Sequence, residues 1–110
     1  MKKSALLLTV ISLLTLFSSC KVREYENYQE LDNGVKLQRN GIVYSFYSAL
    51  PKDSLIGAQI GVVDGDKKHK VFEVKGFSSD EWIIEYYDVI MSVYNLYKAD
   101  TVSEIPDELK

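Results

Sequence analysis

Hydrophobic and polar positions along this chain fall into two regimes. From Ala5 to Phe17 the residues are apolar or small, uncharged and without alternation. From Val35 onward, short runs rich in β-branched and aromatic residues are split by turn residues, the pattern of strands. Val35–Gln38 leads into Arg39-Asn40-Gly41, and Asn-Gly is a strong hairpin cue because both residues tolerate positive φ. Ile42–Ser48 follows, with Val43, Ser45 and Tyr47 alternating against Tyr44 and Phe46. The stretch from Ala49 to Ser54 breaks the sheet, since Pro51 has no N–H to donate to a ladder. Then come Ala58–Val63, the turn Asp64–His69, Lys70–Lys75 and the turn Gly76–Asp80. A last pair, Glu81–Tyr87 and Met91–Lys98, meets near Asp88. In that last stretch Trp82, Tyr86, Val89, Val93 and Leu96 would also line one side of a helix. The crowding of Trp, Ile, Tyr and Val favours a pleated surface and a hairpin.

The pattern predicts an all-β fold, a small antiparallel meander or barrel of about six strands, with a short N-terminal helix as an added option. Closure into a barrel would remove the edges that invite aggregation. The expected core is Val43, Phe46, Ile60, Val62, Phe72, Val74, Trp82, Ile84 and Val93. Lys21–Gly34, polar and charged, reads as a tether. Val22, Tyr25, Tyr28 and Leu31 recur every three residues there, which is the spacing of the alternative short helix. The acidic end Glu104–Glu108 is expected to pack through Ile105 and otherwise to face water.

The uncharged run changes the picture from a domain to an exported domain. Lys2 and Lys3, an apolar stretch and a small-residue end form the three parts of a secretory signal. A membrane-spanning helix needs about 18 or more apolar residues, and this run is shorter. After it stand Leu16-Phe17-Ser18-Ser19-Cys20, which resemble the lipobox of bacterial lipoproteins: an apolar residue, two small residues, then cysteine. Phe17 stands where leucine is usual. The resemblance implies cleavage between Ser19 and Cys20, and a diacylglyceryl group on the Cys20 thiol. It further implies a fatty acyl chain such as palmitate on the new amino terminus. The alternative is a free or buried cysteine behind an ordinary signal. The expected organisation is a signal peptide over 1–19, removed, a lipidated N-terminus and tether over 20–34, and a small β-rich domain over 35–110. The location implied is the exported side of the cell membrane or outer membrane. Lys21 is not the aspartate that signals inner-membrane retention in enteric bacteria.

Composition bounds what the exported part can be. Cys20 is the chain's single cysteine, so an internal disulfide is excluded. Without Lys2 and Lys3 the basic count drops from 13 to 11 against 16 acids, a net charge of −5. Nucleic-acid binding would need a basic stripe, and none is present. The tyrosines, Trp82 and three phenylalanines give too large an apolar load for a disordered chain.

Candidate chemistry is sparse. Asp64 and Asp66 superficially suggest a calcium loop, but the further oxygen ligands are missing and Lys67, Lys68 and Lys70 follow. No metal site and no cofactor are expected. His69 is the only histidine, reads as an exposed turn residue, and no Gly-x-Ser-x-Gly elbow accompanies it. Gly57, Gly61 and Gly65 match neither a dinucleotide fingerprint nor a P-loop and suggest a bend or bulge. Glu73, Glu81 and Glu85 could pair as carboxylates, yet in alternating strands they are expected on the solvent face. The tyrosines are more suggestive. Tyr44, Tyr47, Tyr87, Tyr94 and Tyr97 form the candidate binding surface, each with an apolar ring and a polar tip. Cross-strand packing is the plainer alternative. The segments Gly61–Lys67, Val74–Phe77 and Glu81–Tyr86 resemble a pattern in small bacterial proteins, a resemblance that brings no activity with it. The expected function is a membrane-anchored envelope lipoprotein with a non-catalytic binding domain, its partner an envelope protein, peptide or glycan. A structural or immunity-type lipoprotein that occupies a partner, and an envelope enzyme using surface carboxylates, are the alternatives.

Overall fold

The computed structural model describes residues 25–89 and 93–110. The signal-like run, Ser19 and Cys20 lie outside those residues, as does Met91. Among the described residues there are seven strands: β1 Glu26–Leu31, β2 Lys36–Arg39, β3 Ile42–Ala49, β4 Ile56–Val63, β5 Asp66–Val74, β6 Trp82–Tyr87 and β7 Tyr94–Ala99. They close into a barrel in the order β1-β2-β3-β7-β6-β5-β4. The fold is therefore all-β, as the alternation of short runs predicts, and β6 and β7 pair antiparallel, as the hairpin reading and not the helix reading requires.

Two features depart from the sequence reading. Glu26–Leu31, expected in a tether or short helix, is a strand that carries the barrel's closing seam. It pairs antiparallel with β2 and parallel with β4, Glu26 opposite Gly61 and Tyr28 opposite Val63. Its inward position Tyr28 is fully buried, while its outward neighbours are polar. One bulky inward side chain in six residues hides a strand from periodicity. The β domain thus starts near Glu26 rather than Val35. The second departure is the topology, which is not a simple meander. β3 pairs with β7, and the chain returns over Leu50–Leu55 to begin β4. Strands running in the same direction need such a crossover, since no tight turn can join them.

The hairpin turns follow their sequence cues. Asn40 and Gly41 have φ of +50° and +79°, and Asp64 and Gly65 have +49° and +70°, the paired positive angles of two-residue turns. The second turn is shorter than expected. β5 starts at Asp66, so His69 belongs to a strand.

Burial occurs on both faces of β5, β6 and β7. Inside the barrel, Tyr28, Leu37, Tyr44, Val63, Val71, Ile83, Tyr97 and Ala99 form the main core. Outside it, Val74, Trp82, Ile84 and Leu96 are covered by Leu50 and Leu55 of the crossover and by Val102, Ile105 and Leu109 of the C-terminal segment. Trp82, Ile83, Ile84 and Glu85 are consequently all buried, the mark of a strand covered on two faces. Of the expected core, Val74, Trp82 and Ile84 are buried in the outer cluster, and Ile60 and Phe72 pack partly buried against the two cores. Val43 and Val62 are only partly buried. Phe46 is 48% exposed and Val93 36% exposed, so neither is core. Phe46 points inward but sits at the barrel's rim, beyond the filled interior.

Leu109 has no exposed surface although it is the penultimate residue. Truncating it leaves a cavity against Trp82 and its neighbours. Leu109→Ala is expected to cost about 3 kcal/mol, within the usual range for a buried leucine, measured by urea unfolding.

Candidate functional site

The barrel's two ends differ in chemistry. At the end where β1 begins, Arg39 plugs the interior with its side chain only 10% exposed. Its guanidinium pairs with Glu26 at 2.8 Å and Asp80 at 2.9 Å, and donates to the Tyr44 hydroxyl at 3.3 Å. The same group lies 5.5 Å from the Tyr28 ring centroid. Tyr44 in turn donates to the Ser79 carbonyl at 2.7 Å. Planar, delocalised guanidinium suits this combination of carboxylates and an aromatic face. These neighbours hold the Arg39 guanidinium firmly protonated, although burial works against it. Beside this end a groove of about 450 Å³ is lined by Gly41, Ile42, Val43, Asp80, Glu81, Asp100 and Thr101. Its acids are partly committed: Asp80 to Arg39, and Asp100 to the Ser45 hydroxyl at 2.6 Å.

The opposite end, the barrel's second mouth, holds a polar cluster in which two members are buried and one is partly buried. Strand alternation sends His69, Glu85 and Asn95 inward from β5, β6 and β7. His69 Nε2 lies 2.6 Å from Glu85 Oε2, and Asn95 Nδ2 donates to Glu85 Oε1 at 2.9 Å. Tyr87, opposite His69 on the neighbouring strand, stacks flat on the imidazole with centroids 4.3 Å apart and planes 5° apart. Deeper in, the Tyr97 hydroxyl donates to the Gly34 carbonyl, and the Phe46 ring meets Tyr97 edge-on at 5.9 Å. Burial first, then the charges of Glu85 and Glu30, raises the Tyr97 hydroxyl well above its ordinary range. Exposed Val35 follows the Asp32–Gly34 turn at this end, and exposed Val89 follows β6. The polar cluster is therefore rimmed by aromatic and aliphatic side chains.

His69 and Glu85 correct two sequence expectations. His69 is not an exposed turn residue but is 5% exposed, and Glu85 is not on the solvent face but 8% exposed. The signal for His69 was the two-residue Asp64-Gly65 turn, which moves the following residues into the strand. The signal for Glu85 was its spacing from Ile83, two residues apart on one face. Trp82 and Ile84 on the other face are bulkier, and their size marks that face as the core in the sequence.

The five tyrosines expected on one binding surface are dispersed. Tyr44 and Tyr97 are core residues and contribute no outer surface. Tyr47, the extra residue of a bulge between Phe46 and Ser48, packs edge-on against Trp82 on the barrel's outside. Tyr94 also faces outward, stacked with Tyr86 at 4.4 Å and edge-on to Phe72. Of the five, Tyr87 on the imidazole and Tyr97 deeper in belong to the His69 end. Phe46 and His69 are mouth residues that the sequence reading placed elsewhere.

The imidazole is held by a carboxylate and an aromatic face, and no hydroxyl or thiol nucleophile is among its hydrogen-bond partners in the described residues. Nor do three or more His, Cys, Asp or Glu side chains converge as a metal site among the described residues. Glu85→Ala is expected to cost about 3 kcal/mol by leaving the buried imidazole and the part-buried Asn95 amide without their acceptor. Adding His69→Phe should recover part of that loss, and thermal unfolding of the single and double variants measures both.

Compared with known families, curated proteins and solved structures, the chain matches no family model and no curated protein or solved structure.

Proposed function

We propose that this protein is an envelope lipoprotein, anchored through lipid on Cys20, whose barrel is a non-catalytic binding module that contacts a partner through the His69 mouth. The anchor half of this reading rests on Lys2-Lys3, the uncharged run and Leu16–Cys20. The binding half is carried by one observation: a buried carboxylate and imidazole, joined by a part-buried amide, are hydrogen-bonded together at one end of the barrel. Well-packed apolar side chains serve stability as well as such groups do, so stability alone does not account for them. Barrel mouths are also common ligand sites.

Geometry ties the two halves together. Only five residues, 21–25, separate Cys20 from the first residue of β1. Fully extended they reach about 20 Å at most, well short of what a tether to Val35 would allow. β1 begins at the Arg39 end, so a lipid on Cys20 holds that end toward the bilayer. The His69 mouth, at the far end of β1, then points away from the membrane toward whatever the envelope presents.

Cys20→Ser is the test of the anchor. The wild-type protein is expected to take up labelled fatty acid and to partition with membranes. The serine variant is expected to lose both, and retention of the label in that variant sinks the assignment. For the binding half, capture from detergent-solubilised envelope with wild type and Phe46→Ala side by side should give a partner that the alanine variant loses.

A further inference from the structure

Two apolar clusters share strands β5 to β7, and the segment after β7 belongs mainly to one of them. The inner cluster fills the barrel, and of residues 100–110 only Val102 packs against it. The outer cluster sets Val74, Trp82, Ile84 and Leu96 beneath Val102, Ile105 and Leu109. An antiparallel sheet tolerates water on one face while the other is packed. The filled interior therefore does not depend on that part of the roof.

The two parts of the roof are held differently. The crossover is tied to the sheet through backbone: Leu50 N–H donates to the Tyr94 carbonyl, and Lys75 N–H donates to the Leu55 carbonyl, both at 2.8 Å. The C-terminal segment is tied in this way only at its start. There Asp100 N–H donates to the Val43 carbonyl, and Lys98 Nζ donates to the Val102 carbonyl at 2.7 Å. From Ser103 to Lys110, the hydrogen bonds and the Lys110–Asp107 ion pair among the described residues stay within the segment. Its grip is side-chain burial, complete for Leu109 and partial for Ile105, while Ser103, Glu104, Asp107 and Glu108 face water. Segments held with so little backbone pairing open at a fraction of the cost of unfolding the whole domain. The face they leave is apolar and carries Trp82, 1% exposed, with the Tyr47 ring edge-on beside it. What that face accepts is visible in its present occupant: a chain with aliphatic side chains three and then four residues apart, at 102, 105 and 109.

We propose that residues 103–110 are a displaceable strap over a peptide-docking face, and that a partner segment with the strap's own aliphatic spacing takes its place. The strap is joined to the face by its own chain, so it outcompetes a weak free segment. A partner that binds only the opened face shifts the population toward it. This face lies outside the barrel and stands or falls apart from the His69 mouth.

The test uses the full chain in phosphatidylcholine vesicles, with Trp82, the sole tryptophan, as reporter. Leu109→Asp and the milder Ile105→Asp are expected to release the strap. Trp82 emission then moves to the red and is quenched by acrylamide, while far-ultraviolet circular dichroism keeps the wild-type β signal. A synthetic peptide of residues 100–110 should return the emission to the blue, saturably, with half-saturation at about 1 mM for a segment that buries one whole leucine and parts of two aliphatic side chains. The peptide carrying Leu109→Asp should have no effect, and wild type should respond about tenfold more weakly because its own strap competes. Loss of the β signal in both variants would make the segment part of the barrel's cooperative unit and overturn the strap. Unchanged Trp82 emission in both variants overturns it as well. A red-shifted Trp82 that ignores the peptide overturns the exchange, as does quenching by brominated lipid in place of acrylamide, which would make the bilayer the occupant.

Discussion

Gly61→Val is expected to cost the barrel about 4 kcal/mol, near the whole stability of many small domains. A Cβ at Gly61 would lie 2.5 Å from Tyr28 Cε1 and 2.6 Å from the Glu26 carbonyl oxygen. The Tyr28 ring is fully buried and has nowhere to swing, and the carbonyl belongs to backbone at the closing seam. Among the described residues three ladder pairs, from Glu26–Gly61 to Tyr28–Val63, form that seam, with added hydrogen bonds from β1 to Asp64 and Gly65, so moving β1 away opens the barrel. Gly61→Ala should cost somewhat less, about 3 kcal/mol. Gly65→Ala is the contrast: a Cβ there meets nothing within 4 Å, and only the φ of +70° resists it. That strain is worth about 1 kcal/mol. Urea midpoints for the three variants should therefore rank Gly65→Ala, Gly61→Ala, Gly61→Val in order of increasing loss. A Gly61→Val protein as stable as wild type would mean that β1 does not close the barrel as described.

The second large effect is alkaline. Tyr28, Tyr44 and Tyr97 are buried, and desolvation is the main cause raising all three hydroxyls above their ordinary value of 10.0. In Tyr28 and Tyr44 the nearby Arg39 charge opposes the shift without cancelling it. Above about pH 10 the unfolded chain releases these protons while the native barrel keeps them. The native state then binds more protons, so stability falls as pH rises. Below the unfolded value the contribution is fully present. Three tyrosines give a limiting slope of about 4 kcal/mol per pH unit, about 1.4 for each. Tyr28→Phe should remove about one third of the slope at little cost, because the Tyr28 hydroxyl is buried without a hydrogen-bond partner. Urea unfolding at pH 8, 10 and 11 measures it, and a flat profile across that range would contradict the burial of these rings.

Six of the seven strands were legible because their β-branched and aromatic runs are separated by Asn-Gly, Asp-Gly and Pro. β1 was not, since Glu26–Leu31 offers one buried aromatic among polar residues and takes its strand identity from β2 and β4. The closing β1–β4 pairing is long-range and leaves no mark on either segment alone. Core membership failed for a different reason. Alternation tells which residues share a face, but not which face is inside when both are covered. In Trp82–Tyr87 the bulkier face turned out to be the outer one, roofed by the crossover and by Leu109. The same inversion hid Glu85, and a turn read too long hid His69. The tyrosines, read as one surface, divide between the interior, the mouth and the outer face because strand parity and the Tyr47 bulge separate them.

The claim that the His69 mouth meets the partner is tested most directly by site-specific photocrosslinking in the cells that make the protein. A photoreactive phenylalanine analogue replaces Phe46 at the mouth or Asn40 in the turn beside the Arg39 plug. The account expects a crosslinked protein of defined mass from position 46 and no protein crosslink from position 40. Crosslinks from position 40 alone, or from neither position, would contradict it.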